Sequence, residues 1–511
     1  MKCLVVNAGP GTGKTSTLEA GINKTFCGTD PDYDPSPQQL EIWGWMKENC
    51  EPGSDVLCMA FNKSIATELQ ERLSYGEAKT IHSLGASLLN PFLRRQGYRP
   101  KLDTWKTGNI FCDMFNARNV RALDKDTKEV LDDVKRAVSI CKDFVVVPED
   151  LTAQRLGELL FLRDYTPETN LKALHKYTKE VLVKGIEDDK RAGTFDFDDM
   201  IYMPNLFELK RKVDNIMVDE AQDLSYGRRA LILNQTCDTY VFVGDTNQAV
   251  YAFAGADSES MATIAEETDA TEMPLSVSYR CAKAIVTEAQ QYLTKGDLVS
   301  APNAAEGKVY ENYSYDDAVK ELKEGDLLLC RVNAPIVGLA WKLIKERKRA
   351  CIVGRNLSAN LKNIVKKSLR DDTPSLSVFL QRLSDWYSKQ IEVQDSKKHD
   401  TTEAKVRITD QYDCIVILAG EADCVTEIPK MIKQIFADIT DESSIRLASI
   451  HRAKGLEADR VFWYAPENTP HKMAKTVVAI AQEKNLQFVA TTRAKRELFL
   501  VPAPKKTEVE V

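Results

Sequence analysis

The stretch CLVVNAGPGTGKTSTLEA, Cys3 to Ala20, constrains the fold more than any other part of the chain. Apolar residues from Cys3 to Val6 run straight into AGPGTGKT, and helix-compatible residues follow from Thr15. A strand, a glycine-rich turn and a helix N-terminus in that order make a phosphate-binding loop. Glycines let backbone N–H groups approach an anion, and the helix terminus favours negative charge. Lys14 is expected to reach the outer phosphates of a nucleotide, and the Thr15 hydroxyl to ligate Mg²⁺. The loop as read comprises Ala8, Gly9, Gly11, Thr12, Gly13, Lys14, Thr15 and Ser16, with Ala8 where the strict pattern has glycine.

Such a loop requires a second strand carrying carboxylates, and NIMVDEAQDLS, Asn215 to Ser225, supplies one. Asp219 is expected to hold Mg²⁺ and Glu220 to orient and deprotonate an attacking water, which points to hydrolysis of a nucleotide. About 200 residues separate Lys14 from Asp219, far more than one βαβ unit needs, so something large is inserted between them. The length of 511 residues suggests two to four domains. A net charge of −7 argues against a general nucleic-acid coat, though not against a groove with its own basic lining. There is no apolar run long enough for a membrane span, and no signal peptide is expected. The 12 cysteines are scattered without a CxxC pair and read as reduced packing residues in a cytoplasmic compartment.

Further motifs follow in order: LCMAFNKSIATELQERL (57–73), KTIHSLG (79–85), TYVFVGDTNQAVYAFAGAD (239–257), LSVSYRC (275–281), IRLASIHRAKGLEADRVFWYA (445–465) and FVATTRAKREL (488–498). The set resembles the superfamily 1A DNA helicases, the UvrD/Rep/PcrA family, and residues 60–84 also resemble the F-box DNA helicases. The resemblance implies an α/β protein of two RecA-like P-loop motor domains, each carrying an inserted subdomain. It further implies that Gln248 senses the γ-phosphate, that Tyr279 stacks on adenine and that Glu457 contacts the ribose, with Gly455 leaving room. Arg280 and Arg493 match two arginines that meet the γ-phosphate, where planar donors suit charge spread over three oxygens.

On the strand side, Phe61, Asn62, His82, Tyr251, Phe253 and His451 stand where the family contacts DNA. Stacking on rings suits sequence-independent binding of single strands, while aromatics beside strands also suit a buried core. Phe253 replaces the family's usual Trp and Ala254 its Arg, so a looser grip on the strand is the expected result; Ser16 stands where the family often has an Arg after the loop.

The motor domains are expected at 1–88 with 194–276, and at 277–356 with 445–511. The first insertion, 89–193, reads as mainly helical. The second, 357–444, reads as short mixed α/β, with YDCIVILAG as strand. It is shorter than the family's regulatory subdomain. KLIKERKR, Lys342 to Arg349, is either a solvated helix face or a duplex contact. No nuclease domain is expected after the last motif. The partners implied are single-stranded DNA, single/double-strand junctions and recombination or replication proteins, with no membrane and at most weak self-association. The function implied is 3′→5′ translocation and unwinding. The alternatives are a remodeller that strips recombinase from DNA while scarcely unwinding, and an RNA-directed helicase.

Only two residues precede the first strand, too few for the base-reading glutamine that relatives carry there. DPSPQQLEIWGWM, Asp34 to Met46, resembles that segment moved downstream. Gln38 or Gln39, with Gln39 favoured, is expected to read adenine; the alternative is an ordinary surface helix.

Overall fold

The computed structural model describes the chain except residues 164, 166, 168, 188–192, 250–258, 370–371, 396–401, 437–442, 473, 475–476 and 505–511, and the side chains of 125, 355–356, 402–404 and 477–479. It divides into two compact units. The first holds Met1–Gly9 and Gly13–Leu275; the second holds Pro10–Thr12, Ser276–Ser396 and Thr401–Val511.

In the first unit six strands form one parallel sheet: β1 Lys2–Ala8, β2 Val56–Ala60, β3 Glu77–Thr80, β4 Asn215–Val218, β5 Thr239–Gly244 and β6 Thr271–Leu275. Their order is β3-β2-β4-β5-β1-β6. Strands β2, β4 and β5 are buried along their whole length, as a parallel sheet covered on both faces demands. Alternation sends Val5, Met59, Val218 and Phe242 to one face, against Leu231, Ile232 and Ile264. The opposite face carries Leu4, Val6, Met217 and Val241, against Leu18, Ile22, Trp43 and Met46. Each such buried side chain contributes about 1.5–3 kcal/mol.

The first insertion is helical, as expected from its periodicity. Helices Lys106–Met114, Lys125–Asp143, Ala153–Leu162 and Leu171–Glu187 close around Phe111, Leu131, Val138, Leu156 and Leu182. Buried ions tie it to the returning chain: Lys142 Nζ lies 2.7 Å from Asp196 and 2.8 Å from Asp199, and Lys106 Nζ lies 2.7 Å from Asp199. Burial pushes the Asp199 carboxyl up, but the two ammonium groups outweigh it and hold it at about 2.

The second unit has its own parallel sheet: β7 Lys308–Tyr310, β8 Leu327–Cys330, β9 Ala350–Ile352, β10 Ile445–Ser449, β11 Ala458–Tyr464 and β12 Ala494–Val501, ordered β7-β12-β11-β8-β10-β9. Here one expectation is overturned. Among the described residues the second insertion is helical, not mixed: Arg355–Leu369, Leu376–Asp395, Thr402–Gly420 and Ile428–Ile435. YDCIVILAG lies inside Thr402–Gly420. Its Cys414, Ile415, Leu418 and Ala419 form a helical stripe buried in the core, and that burial overrides the weak strand preference of Ile and Val. The same core holds Phe379, Leu383 and Ile432 of the insertion together with Ile336 and Leu343 of the helix Ala334–Lys345 and Leu447 and Phe462 of the sheet. Among the described residues no helix is long and apolar enough to cross a membrane.

Candidate active site

β1 ends at Ala8 and the helix Lys14–Ile22 begins after a turn in which Gly11 and Gly13 take φ of 69° and 80°, the left-handed region glycine adopts without steric cost. The turn curls Lys14 Nζ back to within 3.3 Å of the Gly9 carbonyl and 3.9 Å of Asp245 Oδ2. Thr15 Oγ1 donates to Asp219 Oδ2 at 2.6 Å. Asp219 follows β4 directly and is buried; burial, then the charge of Glu220, push its carboxyl up to about 6. A hydroxyl and a carboxylate in contact, with the Glu220 carboxylate beside them, are hard oxygen donors that fit a small divalent cation. Ser16 Oγ accepts from Arg72 Nη2 at 3.2 Å, and Thr12 is fully buried.

Glu220 sits at φ 54°, in the left-handed region that non-glycine residues adopt uncommonly. Gln222 Nε2 donates to its carboxylate. The other end of the same amide, Oε1, accepts from the Asp245 backbone N–H at 2.9 Å. Asp245 Oδ2 in turn accepts from Gln248 Nε2 at 2.6 Å. Glu220, Gln222, Asp245, Gln248 and Lys14 therefore form one chain of polar contacts at the carboxyl ends of β1, β4 and β5, buried at Gln222, Asp245 and Gln248. Gln222 and Asp245 were not singled out from the sequence. Their signal was available, since each is a polar residue just past a largely apolar strand, where sites of open α/β sheets lie.

The helix Pro37–Asn49 is docked, not a free surface element. Trp43 Nε1 donates to the Thr17 carbonyl at 2.8 Å, and Gln39, 3% exposed, donates from Nε2 to Thr17 Oγ1 at 2.9 Å. Gln39 Oε1 also accepts from Ser36 N at 2.9 Å, closing a capping box.

In the second unit, Tyr279 N donates to Gly11 O at 2.8 Å, and the Tyr279 side chain is 53% exposed. Arg280 Nε lies 2.6 Å from Glu457 Oε2, and Lys495 Nζ lies 2.7 Å from Glu457 Oε1. Gly455 takes φ 86° just before. Arg493 is buried, donating to the carbonyls of Val489 at 3.1 Å and Leu456 at 3.4 Å. His451 is held neutral: burial first, then Arg331 and Arg452, depress it to about 3.

Back in the first unit, Phe61 follows β2 and is half-buried, and Asn62 caps the next helix by accepting from Ile65 N at 3.0 Å. His82 opens the helix Ile81–Arg95, its basicity lowered by burial and then by Arg228. The Arg228 guanidinium stands 5.5 Å from the Phe61 ring centroid. Tyr251, Phe253 and Ala254 lie outside the described residues.

Two parallel α/β units, one of them with a lysine loop set against a buried Asp–Glu turn, define a P-loop nucleotide-hydrolysing motor. Two family models extend this: the UvrD/REP helicase N-terminal domain matches residues 1–269, and the UvrD-like helicase C-terminal domain matches 353–504. The chain belongs to the UvrD/Rep family of ATP-dependent DNA helicases. It is 22% identical to a probable DNA helicase II homolog of Mycoplasma pneumoniae, over 95% of this chain and 82% of that one. It is 22% identical to the ATP-dependent DNA helicase Rep of Buchnera aphidicola, over 74% of this chain and 56% of that one. With the F-box DNA helicase protein 1 of Schizosaccharomyces pombe it shares 26% identity over 58% of this chain and 34% of that one. The chain thus spans most of the first relative but only about half and a third of the other two.

Proposed function

We propose that the protein hydrolyses ATP to move 3′→5′ along single-stranded DNA and to open duplex at single/double-strand junctions. The observation that carries this reading is the gathering of Lys14, Thr15, Asp219, Glu220 and Gln248 at the carboxyl ends of β1, β4 and β5, on the same sheet that presents Phe61 and His82. Lys14 and the loop N–H groups bind the phosphates. Thr15 and Asp219 would hold Mg²⁺, which supplies charge neutralisation at the β- and γ-phosphates. Glu220, steadied by Gln222, orients the attacking water and takes its proton. Gln248 couples the γ-phosphate position to the strand-binding surface through Asp245, and Arg280 and Arg493 offset charge in the transition state. Phe61, Asn62, His82, Tyr251, Phe253 and His451 contact the strand.

Gln39 reads the base, and the family resemblance gives Tyr279 the stacking role. A carboxamide has two lone pairs on oxygen and two N–H donors. Ser36 and Thr17 use one of each, and the remainder match the amino group and N7 of adenine while mismatching the guanine carbonyl. In this reading 1–88 with 194–276 and 277–356 with 445–511 are the two motors, and 89–193 and 357–444 their insertions. Nine buried cysteines, all free, suit a reducing compartment such as the cytoplasm; recombination or replication partners and a monomeric state are proposed from the family resemblance alone. Steady-state ATPase with single-stranded DNA and RNA of matched length is the test. DNA-selective stimulation, lost in Lys14→Ala and Glu220→Gln, is expected; equal response to RNA, or no response to DNA, would sink the reading.

A further inference from the structure

Arg228 is half-buried on the helix Tyr226–Leu233, which starts directly after the Asp219–Asp223 turn. The start of that helix is fixed, because Gly227 N donates to Asp143 Oδ1 at 3.3 Å and Asn205 Nδ2 donates to the Gly227 carbonyl at 3.0 Å. Its neighbour Arg229 is spent on Glu267, at 3.0 Å. Arg228, by contrast, makes no hydrogen bond or ion pair among the described residues; its guanidinium lies against the Phe61 ring. The groups that face it electrostatically are His82, Asp143, Asp198 and Asp223. Asp143 is already committed to Arg163 and to Gly227 N. Burial lowers the affinity of Arg228 for its proton, yet a guanidinium stays charged at any ordinary pH. Contact with an aromatic face offsets part of the desolvation but satisfies none of the five N–H donors.

A half-buried planar cation with its donors unspent, seated against a ring beside a neutral imidazole, fits one ligand feature above others: a phosphodiester whose neighbouring base stacks nearby. We propose that Arg228 binds a backbone phosphate of the single strand, as part of one site with Phe61 and His82. The assignment rests on the reading that Phe61 contacts DNA. It places a phosphate ligand eight positions along the chain from Glu220, on the helix that leaves the hydrolytic turn.

The test is equilibrium binding of a fluorescent oligo-dT across a salt series, for wild type, Arg228→Gln, Arg228→Lys and Phe61→Ala. Loss of one phosphate contact lowers the slope of log affinity against log salt by about 0.7 for a single strand. Arg228→Gln is expected to show that drop. Arg228→Lys is expected to keep the slope while binding several-fold more weakly, since the bidentate fork is lost. Phe61→Ala is expected to weaken binding on the order of tenfold with the slope unchanged. An unchanged slope in Arg228→Gln, with Phe61→Ala impaired, overturns the assignment and leaves Arg228 a brace for the ring. Wild-type affinity in Phe61→Ala overturns the underlying reading instead. If Arg228→Gln does not fold, judged by circular dichroism, wild-type binding by Arg228→Lys overturns the proposal.

Discussion

Arg280 and Glu457, 177 positions apart in sequence, meet at 2.6 Å, and Lys495 reaches the other oxygen of the same carboxylate at 2.7 Å. One acidic group thus orients the guanidinium proposed to face the γ-phosphate. Such positioning lets a donor act without reorganising as charge develops. Glu457→Ala is expected to lower kcat for ATP on the order of tenfold, with Glu457→Gln intermediate. Steady-state kinetics check this; wild-type kcat in both variants would show that Arg280 is held by other means.

The same pair has a pH signature. Burial raises the Glu457 carboxyl, but the Lys495 hydrogen bond and the charges of Arg280, Lys495 and Arg493 outweigh it and hold it below the usual glutamate range. A depressed carboxyl contributes stability above its unfolded pKa, and that contribution is lost as pH falls through the folded value. Both side chains are partly exposed, so the effect stays within about 1 kcal/mol. The difference in melting temperature between wild type and Glu457→Gln is expected to be largest near neutrality and to vanish well below about pH 4.

Asp219 behaves in the opposite sense. Its carboxyl is raised to about 6 by burial and by Glu220, so the folded protein binds the proton more tightly than the unfolded chain does. The stability this confers is present at low pH and is lost as pH rises from about 4 toward 6. At pH 7.5 the ionised carboxylate is a cost to folding of about 1–3 kcal/mol, accepted because the site needs a hard anionic ligand. Asp219→Asn is therefore expected to raise the melting temperature in metal-free buffer while lowering ATP hydrolysis on the order of a hundredfold or more. A destabilised Asp219→Asn would contradict the assigned environment.

The proposed catalytic turn was legible because each of its parts follows a short, largely apolar strand, the pattern of a parallel sheet covered on both faces. Lys14, Thr15, Asp219 and Glu220 needed only that pattern and the chemistry of phosphate, whereas Gln248 came from the family resemblance. Arg228 did not show in the sequence, because nothing in a linear string says which donors will be spent on neighbours and which left over. The second insertion failed for a related reason. Ile415, Val416 and Ile417 read as strand locally, and only their shared core with Ile336 and Leu447 decides for helix.

Gln39 tests whether a base-reading segment can sit after the phosphate loop. Its Nε2 is held on Thr17, three residues beyond Lys14, and Trp43 anchors the helix that carries it. Gln39→Ala is expected to reduce the preference for ATP over GTP roughly 5- to 30-fold, the worth of one or two hydrogen bonds. Gln38→Ala is expected to leave it unchanged. Competition binding with the two nucleotides decides, and unchanged preference in Gln39→Ala would remove the glutamine from base recognition.

Asp410 shows that the second insertion is built into its unit. From the helix Thr402–Gly420 its carboxylate accepts from Asn333 N at 2.8 Å, Ala334 N at 2.7 Å and Asn333 Nδ2 at 2.7 Å. It therefore caps the helix Ala334–Lys345, which follows β8, with a side chain supplied 76 positions later. Loss of a cap costs about 0.5–2 kcal/mol. Asp410→Ala is expected to lower stability by that amount, and Asp410→Asn, which keeps an acceptor, by less. Excising 357–444 is expected to do far more, because Phe379, Leu383, Ile415, Leu418 and Ile432 complete the core that Ile336, Leu343 and Leu447 begin. Chemical denaturation checks the point variants. A deletion variant that still unfolds cooperatively would show that the insertion is a separable module.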